Sequence, residues 1–263
     1  MITADTNNAP DWVDLNTPDV EGAVDFYSRL LNWDIEKTPT PMGDYYIARQ
    51  HGHQVAGLMG QSDETAGTSP MWTMYINVES ADETAGKVEP AGGRLLSGPF
   101  DIPDGRVAVV SDPSGALFGI ISTPLQHSDK KWFSVEAGAV CWVELLSRDP
   151  ERAEPFYSSV FGWDAETSDA SGTAYTTFAL DGDQVAGMLP MPNEVPDSAP
   201  SHWIVYFAVD DCEEAEKRAE ELGGRVLRKT ADIEVGRFAV LEDPQSTPFQ
   251  IMESSAVRET PNR

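Results

Sequence analysis

Polar and hydrophobic residues alternate from Trp12 to Asn16, predicting a short strand with Trp12, Asp14 and Asn16 on one face and Val13 and Leu15 on the other. Thr17-Pro18-Asp19 supplies helix-start chemistry, and Val20, Ala23, Val24, Tyr27 and Leu31 follow at helical spacing. Tyr45–Arg49 and Gln54–Met59 flank His51-Gly52-His53 and read as a hairpin with the glycine in its turn. Met71–Val78 reads as a fourth strand. Ser80–Glu83 is a capping box opening a second helix, which Gly92-Gly93 closes. Strands at Arg94–Leu96 and Arg106–Val110, a turn at Asp112–Gly115 and a strand at Ala116–Ile121 complete the pattern.

The pattern then begins again. Residues 11–34, DWVDLNTPDVEGAVDFYSRLLNWD, return as CWVELLSRDPERAEPFYSSVFGWD at 141–164. Trp12 with Trp142, Phe26-Tyr27 with Phe156-Tyr157, Trp33-Asp34 with Trp163-Asp164, and Gln54–Gly57 with Gln184–Gly187 share an offset of 130. After one inserted residue the offset is 131, relating Trp72 to Trp203, Gly105-Arg106 to Gly236-Arg237, Asp112-Pro113 to Asp243-Pro244 and Phe118 to Phe249. Asp211–Glu214 is the second capping box. The chain is a tandem duplication, and its function has to be read from two half-sites compared with each other. The expected organisation is a polar arm at 1–10, a first module at 11–122, a linker at 123–139 holding Pro124, His127 and an Asp-Lys-Lys cluster, a second module at 140–253, and a polar tail at 254–263. Each half reads β-α-β-β-β-α-β-β-β. Each helix covers one face of its sheet, and the other face packs or lines a cavity formed by two half-sheets curling toward each other, with like strands contributed by both halves.

Composition adds one constraint. Lys and Arg number 18 against 44 Asp and Glu, a net charge of −26. Such a surface repels phosphate backbones and anionic membranes, so neither is an expected partner. It is a strongly hydrated surface or a field that steers a cationic ligand. Two cysteines, Cys141 and Cys212, are too few for a disulfide framework and read as reduced thiols. The N-terminus has no basic and apolar signal regions and no window approaches 18 consecutive apolar residues, so a cytoplasmic protein is expected.

A strand, a cap, a helix containing Phe-Tyr, and later GRVAVVSDPSGALFG at 105–119 and GRFAVLEDPQSTPFQ at 236–250 resemble the vicinal oxygen chelate superfamily of glyoxalase, bleomycin-resistance and extradiol-dioxygenase proteins. The GR-x-AV-x-x-DP signature is most similar to two-module, glyoxalase-like proteins of actinobacteria that carry the label hydroxylase. The resemblance covers about residues 11–122 and 140–252. It implies an α+β fold of tandem βαβββ modules, with mixed half-barrel sheets and helices on the outer face.

The resemblance also implies a divalent metal held from the first strand, the strand before the second helix, and a Glu in the final strand. Carried over one at a time, those positions fall on Trp12, Thr73 and Gly119 in the first half and on Trp142, Ile204 and Gln250 in the second. None is an imidazole, thiolate or carboxylate, so no metal cofactor is expected. The alternative is one divalent ion held by His202 with Glu144 or Asp14; against it, His202 caps a strand end. His51 and His53 read as an exposed turn. Without a metal, stabilisation of an enediolate or of bound O₂ has no electrophile.

Trp12 and Trp142 at the ligand positions project inward, where two indoles can sandwich a flat or cationic group beside Asp14 and Glu144. The alternative is that they plug the core while the acids pair with Arg106 and Arg237. Tyr75 and Tyr206 share a face with Thr73 and Ile204 and can donate a phenolic hydrogen bond; Gln250 can also reach inward. Gly57 and Gly187 read as points of close backbone packing. Gly119 leaves room and Gln250 fills it, which predicts one larger and one smaller cavity.

Two functions follow. One is a metal-free protein binding a small organic molecule, cationic or aromatic, in an aromatic and acidic cavity through Trp12, Asp14, Thr73, Tyr75, Trp142, Glu144, Tyr206 and Gln250. The other is a glyoxalase-, lyase- or hydroxylase-type enzyme using an atypical metal site or acid–base work by Asp14 or Glu144. A monomer and a homodimer are both compatible, since the duplication already supplies the pairing of modules.

Overall fold

The computed structural model describes residues 6–63, 65–103, 105–123, 133–169, 172–193 and 195–254. Pro124, His127, the Asp-Lys-Lys cluster and the tail after Ser254 lie outside the described residues.

The first half runs β1 (Pro10–Thr17), α1 (Val20–Leu30), β2 (Asp34–Thr40), β3 (Gly43–Gln50), β4 (His53–Gly60), then β5 (Met71–Asn77), α2 (Ala81–Val88), β6 (Arg94–Ile102), β7 (Gly105–Ser111) and β8 (Leu117–Ser122). The second half runs β9 (Val140–Ser147), α3 (Pro150–Phe161), β10 (Asp164–Ser168), β11 (Tyr175–Leu180), β12 (Asp183–Pro190), then β13 (His202–Ala208), α4 (Cys212–Glu221), β14 (Arg225–Ile233), β15 (Gly236–Glu242) and β16 (Pro248–Ser254). Each half is therefore two consecutive βαβββ segments.

The strands form two eight-stranded mixed sheets, in the orders β2-β3-β4-β1-β5-β8-β7-β6 and β10-β11-β12-β9-β13-β16-β15-β14. Each sheet comes from one half alone, rather than from like strands of both halves. Strands β2 and β10 are absent from the hydrophobic pattern for a physical reason. Both are edge strands whose residues are largely exposed, so neither face selects for hydrophobic residues.

The helices start where side-chain oxygens meet the first free backbone N–H groups. Asp19 accepts from Gly22 N (3.0 Å), Ser80 from Glu83 N (3.3 Å), Asp149 from Arg152 N (3.3 Å) and Asp211 from Glu214 N (2.9 Å). Phe26, Tyr27, Phe156 and Tyr157 face inward from α1 and α3 and are fully buried.

By contacts the chain divides into two compact units. One draws mainly on the second and third βαβββ segments, the other on the first and fourth. In the second of these, Tyr27 donates to Asp243 Oδ2 (3.0 Å) and accepts from Trp72 Nε1 (3.0 Å), while its ring stacks on Trp33 at 5.9 Å. Asp243 Oδ1 accepts from the backbone N–H groups of Gln245 (2.9 Å) and Thr247 (2.8 Å). In the other unit Tyr157 donates to Asp112 Oδ2 (3.1 Å) and accepts from Trp203 Nε1 (3.1 Å). Asp112 Oδ1 accepts from Ser114 N and Ala116 N.

The two sequence signatures thus meet. The tyrosine of each Phe-Tyr pair bonds the aspartate of the Asp-Pro turn in the opposite half. Burial holds the Asp112 and Asp243 carboxyls above their usual range, against the lowering effect of these hydrogen bonds.

Candidate functional site

Strand alternation places the candidate residues. Val13, Leu15, Val143 and Leu145 are fully buried on the helix side. Trp12, Asp14, Trp142 and Glu144 project from the opposite face. By the same alternation Thr73 and Tyr75 oppose buried Met74 and Ile76, and Tyr206 opposes Val205 and Phe207.

In the first half, Asp14 pairs with Gly57 across β1 and β4, and Gly57 pairs with Ile47 on β3. Tyr45 donates to Asp14 Oδ1 at 2.6 Å. A Cβ on Gly57 would collide with both the Tyr45 hydroxyl and Asp14 Oδ1, so the glycine is what admits this bond. In the second half, Glu144 pairs with Gly187 on β12. Trp142 Nε1 donates to the Tyr175 hydroxyl at 3.0 Å, and Tyr175 hydrogen-bonds Glu144. A Cβ on Gly187 would meet Tyr175 and Trp142. The two glycines therefore make way for side chains that carry polar groups, not only for backbone.

Glu144 is 5% exposed and Asp14 8%. Burial pushes the Tyr175 phenol well above its ordinary range, and the charge of Glu144 pushes it further in the same direction. Tyr175 is thus held as a neutral donor beside an acid. One cross-strand row, Glu166–Thr177–Gly187–Glu144, connects this cluster to a recess of about 480 Å³ lined by Asp164, Glu166, Ser168, Thr177 and Gln184, among others.

Tyr45 and Tyr175 are the residues that sequence reasoning overlooked. They share the 130-residue offset of the glycines they lie on, and that repetition was the available signal.

The other candidates are on neighbouring strands, Thr73 and Tyr75 on β5 beside β1, and Tyr206 and Gln250 on β13 and β16, which follow β9 in the second sheet. Tyr75 pairs with Gly119, and its ring occupies the space a side chain at 119 would take. The room that Gly119 leaves is therefore filled. Thr73 is buried and Ile204, its counterpart, half-buried. Tyr206 and Gln250 are paired on β13 and β16, and both are buried. The alternative had the acids pairing with Arg106 and Arg237, but those arginines bond other carboxylates. Arg106 bonds Asp82, in the first turn of α2, and Asp101, on β6; Arg237 bonds Glu213, in the first turn of α4, and Glu253, on β16.

His202 opens β13 with Nδ1 2.9 Å from the Pro200 carbonyl. His51 is exposed in the β3–β4 turn, in the left-handed region (φ 51°). Neither cysteine is in a disulfide. Burial pushes the Cys141 thiol up to about 12 and that of Cys212 up to about 11. Among the described residues no three His, Cys, Asp or Glu side chains are grouped to hold a metal ion. The positions that the family resemblance marks as ligands carry indole, hydroxyl, alkyl and amide groups, a donor set that does not fit a divalent metal. Among the described residues, no helix is long and apolar enough to cross a membrane.

Paired βαβββ segments, with polar residues on the face away from the helices, define a glyoxalase-type architecture. Residues 9–120 match the model of the Glyoxalase/Bleomycin resistance protein/Dioxygenase superfamily, and residues 142–252 that of the Glyoxalase-like domain. The chain belongs to this superfamily. It is 36% identical over 252 residues to a Mycobacterium tuberculosis protein named "Putative glyoxylase CFP32", covering 93% of this chain and 94% of the relative. It is 32% identical over 259 residues to "Anthracycline biosynthesis protein DnrV" of Streptomyces peucetius, covering 93% of each. Among solved structures, the Mn(II)-bound glyoxalase from Novosphingobium aromaticivorans superposes with a TM-score of 0.63 at 16% identity, over 95% of this chain and 83% of that one. A trihydroxybiphenyl dioxygenase from Sphingomonas wittichii gives 0.64 at 12%, over 94% and 90%. These two likenesses concern the fold.

Proposed function

We propose that the protein binds a small organic ligand through the Trp142–Tyr175–Glu144 cluster without using a bound metal. The observation that carries this reading is Glu144: a carboxylate almost fully removed from water, hydrogen-bonded to a phenol that an indole in turn supports. A buried acid bonded to a phenol that stays neutral attracts a cation or a strong hydrogen-bond donor. The neighbouring indole favours an aromatic or cationic frame, an interaction worth about 2 kcal/mol when desolvated. The Asp14–Tyr45 pair offers a simpler version in the first half. The net charge of −26 supports a ligand that is not a polyanion. The name of the Streptomyces relative, tied to anthracycline biosynthesis, supports an aromatic small molecule as the ligand class.

Titration of N-methylquinolinium and of neutral quinoline at pH 7.5, followed by tryptophan fluorescence, tests this. Glu144→Gln is expected to weaken the cation by about tenfold, the loss of roughly one charge-assisted contact, and to leave quinoline unaffected. Equal binding of both probes by both proteins rules the reading out. Elemental analysis of untagged protein is expected to find well under one equivalent of Zn, Ni, Fe or Mn.

The name of the mycobacterial relative favours a second reading, a glyoxalase-type enzyme in which Glu144 and Tyr175 exchange a proton with substrate. Consumption of the methylglyoxal–glutathione hemithioacetal, lost in Glu144→Gln, would favour it over the first.

A further inference from the structure

Residues 6–9, which precede β1, are tied to the second half of the chain. Asn8 N donates to the Asn77 carbonyl at 2.7 Å, and the Ala9 carbonyl accepts from Asn77 N at 2.9 Å, so this segment pairs with the end of β5. Asn8 lies in the left-handed region (φ 63°), which asparagine tolerates better than most side chains. In that turn the Asn8 carbonyl meets Trp163, whose Nε1 donates to it at 2.6 Å. Trp163 is fully buried and stacks on Tyr157 at 5.3 Å.

The device occurs twice. Trp33 Nε1 donates to the Gly138 carbonyl, also at 2.6 Å. Gly138 N donates to the Ala208 carbonyl and the Ala139 carbonyl accepts from Ala208 N, both at 2.8 Å. Gly138 is left-handed too (φ 88°). Asn8 and Gly138, like Trp33 and Trp163, are 130 residues apart. The same mooring on two different residue types marks the backbone carbonyl as what is kept.

What each tryptophan moors is the strand that follows it. Trp163 precedes β10 and Trp33 precedes β2, the outer strands of the two sheets. Strand β10 has five residues, borders only β11 and exposes Asp164, Glu166, Thr167 and Ser168. Such a strand has little burial of its own and opens at low cost unless an end is fixed. Asp164, Glu166 and Ser168 line the recess that the cross-strand row connects to Glu144.

We infer that residues 6–9 form a strap that moors Trp163 and so fixes β10 as the outer wall of that recess. None of the described strap residues lines the recess, so a change at position 8 reaches it through Trp163 and β10. The strap goes beyond the function proposed above and does not depend on it, because its effect on β10 is read without a ligand.

Hydrogen–deuterium exchange of the full chain, resolved by peptide, tests the inference. Asn8→Pro removes the donor to Asn77 and cannot adopt a positive φ, whereas Asn8→Gly keeps both. Asn8→Pro should speed exchange in β10 and in its partners Tyr175–Ala179 by about tenfold, the worth of one buried hydrogen bond, while β9 and β13 keep their protection. Asn8→Gly should match the wild type. Trp163→Phe keeps a ring against Tyr157 but loses the donor, and should speed β10 in the same way. Trp33→Phe should speed β2 and leave β10 unchanged. Unchanged exchange of β10 in both Asn8→Pro and Trp163→Phe, equal acceleration in Asn8→Gly, acceleration spread evenly over β9 and β13, or a faster β10 in Trp33→Phe would overturn the strap.

Discussion

Tyr27 is the most sharply testable point in the fold. Its hydroxyl donates to Asp243 and accepts from Trp72, both at 3.0 Å, and no part of it is exposed. Tyr27→Phe keeps the ring, its stack on Trp33 and its edge contact with Trp72. It removes one oxygen and leaves two buried groups without that partner: the Asp243 Oδ2 and the Trp72 Nε1–H. Each such loss costs about 1–3 kcal/mol, so the variant should lose roughly 3 kcal/mol. Asp243 keeps its two backbone donors, which bounds the damage.

Urea unfolding followed by tryptophan fluorescence measures this, and Tyr157→Phe should lose a similar amount through Asp112 and Trp203. The loss should also shrink on acidification. The Asp243 carboxyl already sits above its ordinary range, so its favourable contribution is complete below the unfolded pKa and is lost as pH rises through the folded pKa. Removing a donor to the charged form raises the folded value further, so the penalty is largest at neutral pH. A loss under about 1 kcal/mol at pH 7.5, or one that grows on acidification, would refute the reasoning.

Three further outcomes follow from particular residues. Ser246 is in the left-handed region (φ 70°) at the position where the first half has Gly115, so Ser246→Gly should stabilise the chain by about 0.5–1 kcal/mol in thermal or urea unfolding. Gly187→Ala puts a methyl group against the Tyr175 hydroxyl and should cost about 1–3 kcal/mol, with a change in the Trp142 fluorescence contribution; a silent variant would mean that Tyr175 does not lie over β12. Asp211→Ala removes the cap of α4 and should cost about 1 kcal/mol, recovered in part by Asp211→Ser.

Much of this was legible in one dimension. Duplication, the inward strand faces of Trp12–Asn16 and Trp142–Leu146, both capping boxes and the family signatures are local or periodic features, and local chemistry writes them directly into the order of residues. Edge strands β2 and β10 were not legible, because an exposed strand leaves no hydrophobic alternation. The partners of the signatures were not legible either. Phe-Tyr and Asp-Pro stand out as repeated words, but that Tyr27 bonds Asp243 and Tyr157 bonds Asp112, each across the halves, is decided by how segments far apart in sequence pack. The same holds for the candidate sites. Glu144 and Asp14 were readable as inward acids, whereas their phenol partners Tyr175 and Tyr45 come from strands two places away in the sheet. A hydrogen bond depends on distances of a few tenths of an ångström, and only the tertiary structure sets those.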